Sequence, residues 1–243
     1  MKNPLLLIIC LILSYSFTRS ESLETRVGLD ADYHYENNRT FLKNDNILSD
    51  CCQQEMSGPI NKNKIGIFLS SRIASDHSIA IGIGYSYRNI NVSANESLII
   101  NLDSLPIDGI FSHNFNLKQN LIYLTLNYKV YFGTVGLELF SDLEMPVTVS
   151  YSYAENLIKP IDRGYFTDTG TRRRNEKEGE LDNPTALFGS IGIRLSREFP
   201  LDSDFHWIAT PGISVLKGWN LFSDDYDMRF YSFVFGVSVS FTI

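Results

Sequence analysis

The most regular alternation of apolar and polar residues along this chain lies in the segment 229–243. Apolar side chains occupy every odd position from Tyr231 onward, and small or polar side chains occupy the even positions, with Val234 as the exception. Because successive side chains of a β-strand point to opposite faces of the sheet, the segment predicts a strand with one apolar and one polar face. The apolar face is rich in aromatic rings, which is typical of a barrel strand whose outer surface lies in lipid.

The same period of two residues recurs along the rest of the chain. Six further segments show it clearly: 27–35, 65–73, 79–87, 122–130, 135–144 and 187–195. The segment 205–216 is less regular, and Pro211 within it predicts a bulge. With the last segment this makes eight predicted strands, and an even number is typical of bacterial transmembrane β-barrels.

The connections between these segments alternate between long and short. The long ones are 36–64, 89–118, 154–184 and 217–227, and the short ones are 75–77, 132–134 and 200–204. Transmembrane barrels combine short periplasmic turns with long extracellular loops, whereas long structureless loops are uncommon in compact soluble domains. Most of the segments also supply the 9–11 residues that a tilted strand needs to cross a bilayer. The predicted fold class is therefore all-β, an eight-stranded antiparallel transmembrane up-and-down β-barrel.

The first twenty residues read as an export signal. Lys2 gives a positive start, residues 5–13 are apolar, and residues 18–20 include small side chains suited to a cleavage site. The apolar run is shorter than the roughly 20 residues of a membrane-spanning helix. We therefore predict a signal peptide at residues 1–20, a β-barrel domain at residues 21–243, and a location in the bacterial outer membrane.

The overall composition excludes several other classes of protein. Hydrophobic residues make up 44% and charged residues 20% of the chain, so it is neither disordered nor fibrous. The formal net charge is −7 without a basic stripe, which argues against binding nucleic acid.

The polar faces of the predicted strands carry charges of both signs. We predict a lumen charge network of Arg26, Asp30, Asp32, Arg72, Arg88, Glu138, Asp142 and Arg194. The same face includes His34, Glu36, Lys129, Glu144 and Glu198. An eight-stranded barrel has an interior just wide enough for side chains, so a salt-bridged plug is the favoured interpretation. A gated path for ions or protons is the alternative.

Two loop features attract attention. Cys51 and Cys52 are adjacent in the first long loop, without flanking His or Cys residues that would complete a metal site. We predict a structural role for them, as a vicinal disulfide or in pairing with another chain, because exported proteins meet oxidising conditions.

The charged run that starts at Arg172 is expected to be a solvated loop tip. Contact with lipopolysaccharide phosphates is the alternative, because guanidinium groups bind phosphate well.

No catalytic, cofactor-binding or metal-binding motif is recognisable. The chain contains no Gly-x-Ser-x-Gly, no His-Glu-x-x-His and no phosphate-binding loop, so we predict that it is not an enzyme and has no cofactor. Two alternatives are considered. One is a soluble exported barrel that binds an apolar ligand as lipocalins do, with its apolar side chains inside. The other is an outer-membrane enzyme that modifies lipid A, with His34 as the candidate base.

The arrangement resembles small outer-membrane β-barrels of the OmpA-like and porin-family type. The adjacent Cys51 and Cys52, followed by a Gly-rich second strand and by Gly84-Tyr85, resemble a subgroup with a Cys-Cys pair in loop one. The terminal Gly236-x-x-Val239-x-Phe241 is similar to the insertion signal that the barrel assembly machinery reads. The resemblance implies a structural or surface-interaction role. It also implies partners in outer-membrane lipid, lipopolysaccharide and the assembly machinery, together with an extracellular partner that the sequence does not identify.

Overall fold

The computed structural model describes residues 24–42, 56–102, 105–159, 165, 170–180, 186–204, 206–223 and 226–243. Their strands are β1 (Thr25–Leu42), β2 (Met56–Ala74), β3 (His77–Leu102), β4 (Leu105–Phe132), β5 (Val135–Lys159), β6 (Arg173–Glu180), β7 (Ala186–Arg197), β8 (Phe199–Pro200), β9 (Trp207–Ser223) and β10 (Tyr226–Thr242). Among these residues, no helix is long and apolar enough to cross a membrane. The predicted signal peptide and the pair Cys51 and Cys52 lie outside the described residues.

Eight of the strands form a closed antiparallel ring. Their order is β10-β1-β2-β3-β4-β5-β7-β9, and pairing of β9 with β10 closes it. The remaining two strands lie off the ring, since β6 pairs with the distal part of β5 and the two-residue β8 pairs with β9. Closure leaves the ring without a free edge, as a sheet in hydrocarbon requires. The prediction of an all-β, eight-stranded antiparallel barrel is confirmed.

The apolar side chains of the ring point outward. On β10, Phe233 is 65% and Phe235 61% exposed, whereas Val234 between them is 1% exposed. The same contrast recurs on β2, where Ile65 is exposed and Lys64 is buried. A water-soluble barrel has the opposite polarity, so this outer surface is suited to acyl chains and the barrel is a transmembrane one.

Several strands, above all β3 and β4, extend beyond the apolar band, which corrects the prediction of long loops at 36–64, 89–118, 154–184 and 217–227, since strands occupy part or most of each range. β3 has 26 residues and β4 has 28, and their pairing continues to Leu102 and Leu105. The reason is a change of phase in the alternation. Within the band the outward odd residues of β3 are apolar, whereas above it the inward Ile90 and Val92 are apolar. The alternation with apolar residues on the outer face therefore ends where the lipid ends, although the strand continues.

The predicted bulge at Pro211 is wrong. Pro211 stays in register opposite Val237 of β10, and no register shift occurs near it. On its other side the last β7–β9 pair is Ser196–Gly212 and the first β8–β9 pair is Phe199–Ala209, three residues further along on each side. Because proline has no N–H, it interrupts pairing with one neighbour without inserting a residue.

An irregularity that does occur lies between β4 and β5. Leu121 pairs with Pro146 and Asn120 pairs with Thr148, so one residue of β5 is left over. The extra residue reverses which positions of β5 face outward. Below it the odd-numbered side chains face lipid, and above it the odd-numbered Val149 and Tyr153 are buried.

Candidate functional site: the lumen and its extracellular extension

Charged side chains join opposite walls of the lumen. Arg194 on β7 places Nη2 2.5 Å from Oδ2 of Asp32 on β1. Lys64 on β2 places Nζ 2.7 Å from Oδ2 of Asp142 on β5. The remaining charge of this layer, Asp30, accepts a hydrogen bond of 3.0 Å from a tyrosine hydroxyl of β4. These contacts connect strands that are not neighbours in the ring, so they fix the cross-section of the barrel.

A second group of lumen charges is centred on Glu144. Its carboxylate forms ion pairs with Lys62 and with Arg88, whose Nη2 lies 2.5 Å from Oε2. The Arg88 guanidinium also lies over the rings of Phe188 and Phe230, 5.0 and 4.8 Å from their centroids. All five side chains are buried. The Glu144 carboxylate and the two aromatic rings together satisfy the charge of Arg88 in the absence of bulk water.

A third group lies at the end of the lumen near the last residues of the chain, which is the end predicted above to face the periplasm. Arg26 pairs with Glu24 at 2.6 Å and with Glu198 at 2.8 Å, and Glu198 also lies 3.5 Å from Lys129. Arg72 pairs with Glu24 at 3.2 Å. The Arg72 side chain is 31% exposed, so it closes the mouth of the lumen and does not lie in its centre.

The residues of the predicted network lie in two layers. The layer at the mouth is the third group and includes Arg26, Arg72 and Glu138. The deeper layer consists of the first two groups and includes Asp30, Asp32, Arg88, Asp142 and Arg194. Lys62 and Lys64 lie on β2, within the segment 36–64 that is predicted to be a loop, so they are not among the predicted lumen charges. Their signal was present, since both alternate with Asn61 and Asn63 in phase with the inward Gly66. The side chain of Glu36 lies outside the described residues.

The free space inside the lumen is small. A cavity of about 70 Å³ lies between the two charge layers and is lined by polar groups such as Asp30, Asp142 and Thr125. A polar cavity of this size holds a few ordered water molecules. Towards the extracellular side the lumen is filled by a cluster of buried apolar side chains that includes Phe188, Phe230 and Val234. The lumen thus holds mainly charged side chains at its lower levels and many apolar side chains from the level of the Arg88–Glu144 ion pair upward.

Four strands meet at His113 in the part of the barrel above the membrane. His113 on β4 contacts Glu96 of β3 through Nε2 at 3.1 Å and the Tyr153 hydroxyl of β5 through Nδ1 at 2.7 Å. That hydroxyl donates to Glu155 at 2.9 Å, and Arg174 of β6 donates to the same carboxylate at 2.8 Å. Burial by itself raises the pKa of Glu155, but hydrogen bonds from Asn175, Arg174 and Tyr153 outweigh it and lower that pKa.

The two alternative functions do not fit this geometry. A lipocalin-like barrel needs apolar side chains around an internal cavity, whereas here they face outward and the cavity is polar. His34, the candidate base of a lipid A-modifying enzyme, is 1% exposed and lies inside the lumen near Ser232. Its ring faces away from lipid. Among the described residues, no group of three or more His, Cys, Asp or Glu side chains is arranged to hold a metal ion.

Comparisons with known proteins give weak similarities. No protein-family model and no curated protein matches the chain. Among solved structures, the outer-membrane protease OmpT of Escherichia coli is 8% identical, with 94% of this chain and 100% of that chain covered and a TM-score of 0.39. Neisserial surface protein A is 12% identical, with 90% and 99% covered and a TM-score of 0.36. The attachment invasion locus protein Ail of Yersinia pestis is 9% identical, with 88% and 98% covered and a TM-score of 0.32. The assignment of the fold rests on the ring of paired strands itself.

Proposed function

We propose that the protein is an integral β-barrel of a bacterial outer membrane with a structural or surface-interaction role and a lumen closed to solutes. The observation that carries the proposal is the polarity of the wall, which is apolar outside and charged inside. Exposed Tyr33, Tyr35 and Tyr85 lie at the extracellular border of the apolar band, and Trp207 and Phe241 lie at the periplasmic border. Aromatic girdles of this kind mark both interfaces of outer-membrane barrels.

Closure of the lumen follows from its contents. Ion pairs cross it at two levels, and the rings of Phe188 and Phe230 pack beside the second of them, where they contact Arg88. A continuous water path needs polar walls and space along the whole axis, and the level filled by these rings and the buried apolar cluster provides neither. The barrel is therefore better suited to a structural role than to conduction.

The working surface in this proposal is the extracellular extension of β3, β4, β5 and β6. The extension places polar side chains on its outer face and keeps its own core of Ile90, Val92 and Phe115 inside. Binding residues commonly lie on segments that a rigid scaffold presents to the surroundings. Lipopolysaccharide and the barrel assembly machinery are the partners expected of a protein placed in this way.

Fractionation of cells tests the proposal. We expect the protein in the outer-membrane fraction, resistant to extraction by carbonate and soluble only in detergent. The folded form should also migrate faster than the boiled form on a denaturing gel, because closed barrels resist unfolding by cold detergent. A periplasmic protein of similar size serves as the control. Release of the protein into buffer without detergent would refute the proposal.

A further inference from the structure

The outer face of the extension has an unusual composition for an acidic chain. Above the apolar band, the outward side chains of β2 to β5 are almost all Asn, Ser or Thr, and Lys118 is the one cation among them. Only two acids fall in the ranges 57–63, 87–97, 112–120 and 148–156. They are Glu96 and Glu155, and both are bonded to the inward cluster around His113 and Tyr153. We call this surface the amide face.

Hydrogen bonds between neighbouring strands hold the amides of this face in place. Asn116 donates to Asn89 at 3.1 Å and is also bonded to Asn91. Asn120 donates to Thr148 at 2.6 Å. Each amide group has two N–H donors and a carbonyl oxygen with two lone pairs, so these contacts leave further donors and acceptors for a ligand. The face is ordered before any ligand arrives, which reduces the entropic cost of binding.

A cleft of about 470 Å³ lies within the amide face. Its outward lining consists of Asn91, Ser93, Asn114, Asn116, Ser152 and Asn156. Ala154 leaves space at its floor, and Pro59 and Arg173 stand at its rim. The volume lies within the range of roughly 300–1,000 Å³ that is usual for small-molecule sites. Amide and hydroxyl groups are suited to a ligand rich in hydroxyls, and the guanidinium at the edge is itself paired with Glu176 at 3.0 Å.

The height of the cleft identifies what it meets in a membrane. Asn116 lies six residues beyond Ile122, the last apolar outward residue of β4. Six residues of a strand tilted by about 40° rise roughly 15 Å. That height exceeds the roughly 5–8 Å that phospholipid head groups add on each side of the hydrocarbon, so a lipid that reaches the cleft must carry sugars above its phosphates. Lys118 lies between the cleft and the hydrocarbon and can reach such a phosphate.

We propose that the amide cleft binds the core oligosaccharide of the lipopolysaccharide molecules that surround the barrel. This inference rests on the proposed location in the outer membrane and names the part of the glycolipid that is recognised. Sugar hydroxyls exchange hydrogen bonds with the side chains of Asn91, Asn116 and Ser152. Lys118 contacts phosphate groups below the sugars. The acyl chains lie against the apolar band, so protein and glycolipid match layer by layer.

Binding of purified protein in detergent to labelled lipopolysaccharide tests the proposal. The probes are lipopolysaccharide with a complete core, lipopolysaccharide truncated after its first core sugars, and vesicles of phosphatidylglycerol. We expect at least tenfold tighter binding to the complete core than to the truncated one. The double variant N91A/N116A should reduce that preference to less than twofold. The variant N63A removes an exposed amide outside the cleft and should keep the full preference.

A second variant separates the effect of filling the cleft from the effect of removing amide side chains. Ser152→Trp keeps every amide and fills the cleft, so it should remove the preference as well. Folding of each variant is checked by its mobility on gels with and without boiling. Equal affinity for both cores, or for phosphatidylglycerol and the complete core, would overturn the proposal. So would a concentration-dependent dimer that N91A/N116A abolishes without any core preference. A protein that fractionates with the outer membrane but shows no core preference refutes this inference alone.

Discussion

Arg194 and Asp32 form an ion pair across the lumen, with 2.5 Å between Nη2 and Oδ2. The two residues belong to β7 and β1, which β9 and β10 separate in the ring. Gly236 of β10 pairs with Asp32, and a Cβ at this glycine would collide with the Asp32 carboxylate. Glycine at position 236 therefore leaves room for the acid that reaches Arg194.

The first prediction concerns loss of one partner of this pair. Asp32→Asn leaves the Arg194 guanidinium beside a neutral amide, with the attraction of Glu138 and Asp142 remaining, so the cost should lie below the roughly 3–5 kcal/mol of an uncompensated buried charge. We expect a lower midpoint of urea unfolding in detergent or lipid vesicles. Arg194→Gln combined with Asp32→Asn should recover part of the loss, because no unpaired charge is left. Arg229→Gln, on the exposed face of β10, is the control and should change stability little.

A charge on the lipid face distinguishes the membrane band from its borders. Val237 is exposed near the middle of the outward face of β10, and Tyr231 lies at its extracellular end. Val237→Arg should destabilise the folded barrel in vesicles by about 2–4 kcal/mol, whereas Tyr231→Arg should cost at most about 1 kcal/mol. Equilibrium unfolding followed by tryptophan fluorescence measures both. Equal costs at the two positions would contradict the proposed placement in the bilayer.

The aromatic rings beside Arg88 predict a closed pore that can be opened. The native protein should show no conductance in planar bilayers. Phe188→Ala combined with Phe230→Ala removes both rings beside Arg88 and should produce small, discrete conductance steps. Phe233→Ala combined with Phe235→Ala removes the same number of rings from the lipid face and should leave the barrel closed. Steps of equal size in both double variants would contradict a lumen sealed by these residues.

Much of the barrel could be predicted from the sequence because lipid imposes a simple rule on each strand. The outward residues must be apolar, so the alternation through Phe233 and Phe235 specifies both the strand and its orientation. The charged partners Asp32, Arg194 and Asp142 followed from the opposite parity of the same strands.

The upper half of the molecule could not be predicted in the same way. Above the band water replaces lipid, so the outward residues become polar and the inward ones apolar, as at Asn91 and Val92. The additional residue of the β4–β5 bulge also shifts the parity of β5 at Thr148. Cross-strand partners such as Lys62 and Glu144 depend on register and tilt, which a single strand does not encode.

The first connection offers a test of topology. Cys51 and Cys52 are predicted to lie in an extracellular loop, and the third cysteine, Cys10, falls in the predicted signal peptide. Intact cells treated with a reductant and then with a membrane-impermeant maleimide should therefore label the protein. Labelling without the reductant should be weaker if the two thiols form a disulfide. Replacing both cysteines with Ser provides the blank, and labelling that requires cell lysis would place the loop on the wrong side.

The His113 cluster predicts that acid loosens the extracellular extension through Glu155. Hydrogen bonds hold the pKa of this carboxyl below its ordinary value of about 4.3, so its stabilising contribution is complete above that pH. The contribution is lost as the pH falls through the lower folded value, because the protonated acid no longer pairs with Arg174. The facing groups are Glu96, His113, Tyr153 and Arg174, and they connect β3, β4, β5 and β6 at this point.

Hydrogen exchange of the β5–β6 hairpin, corrected for the intrinsic rate at each pH, measures the effect. Protection should be constant with respect to Glu155 from pH 7 down to about pH 4.3 and should fall as the pH is lowered further through the folded pKa. Glu155→Gln mimics the protonated acid, so it should show the low protection at every pH and no step in the acid range. Strands of the membrane band provide the internal reference, since their pairing does not involve this carboxylate. A step of the same size in Glu155→Gln would assign the acid response to another group.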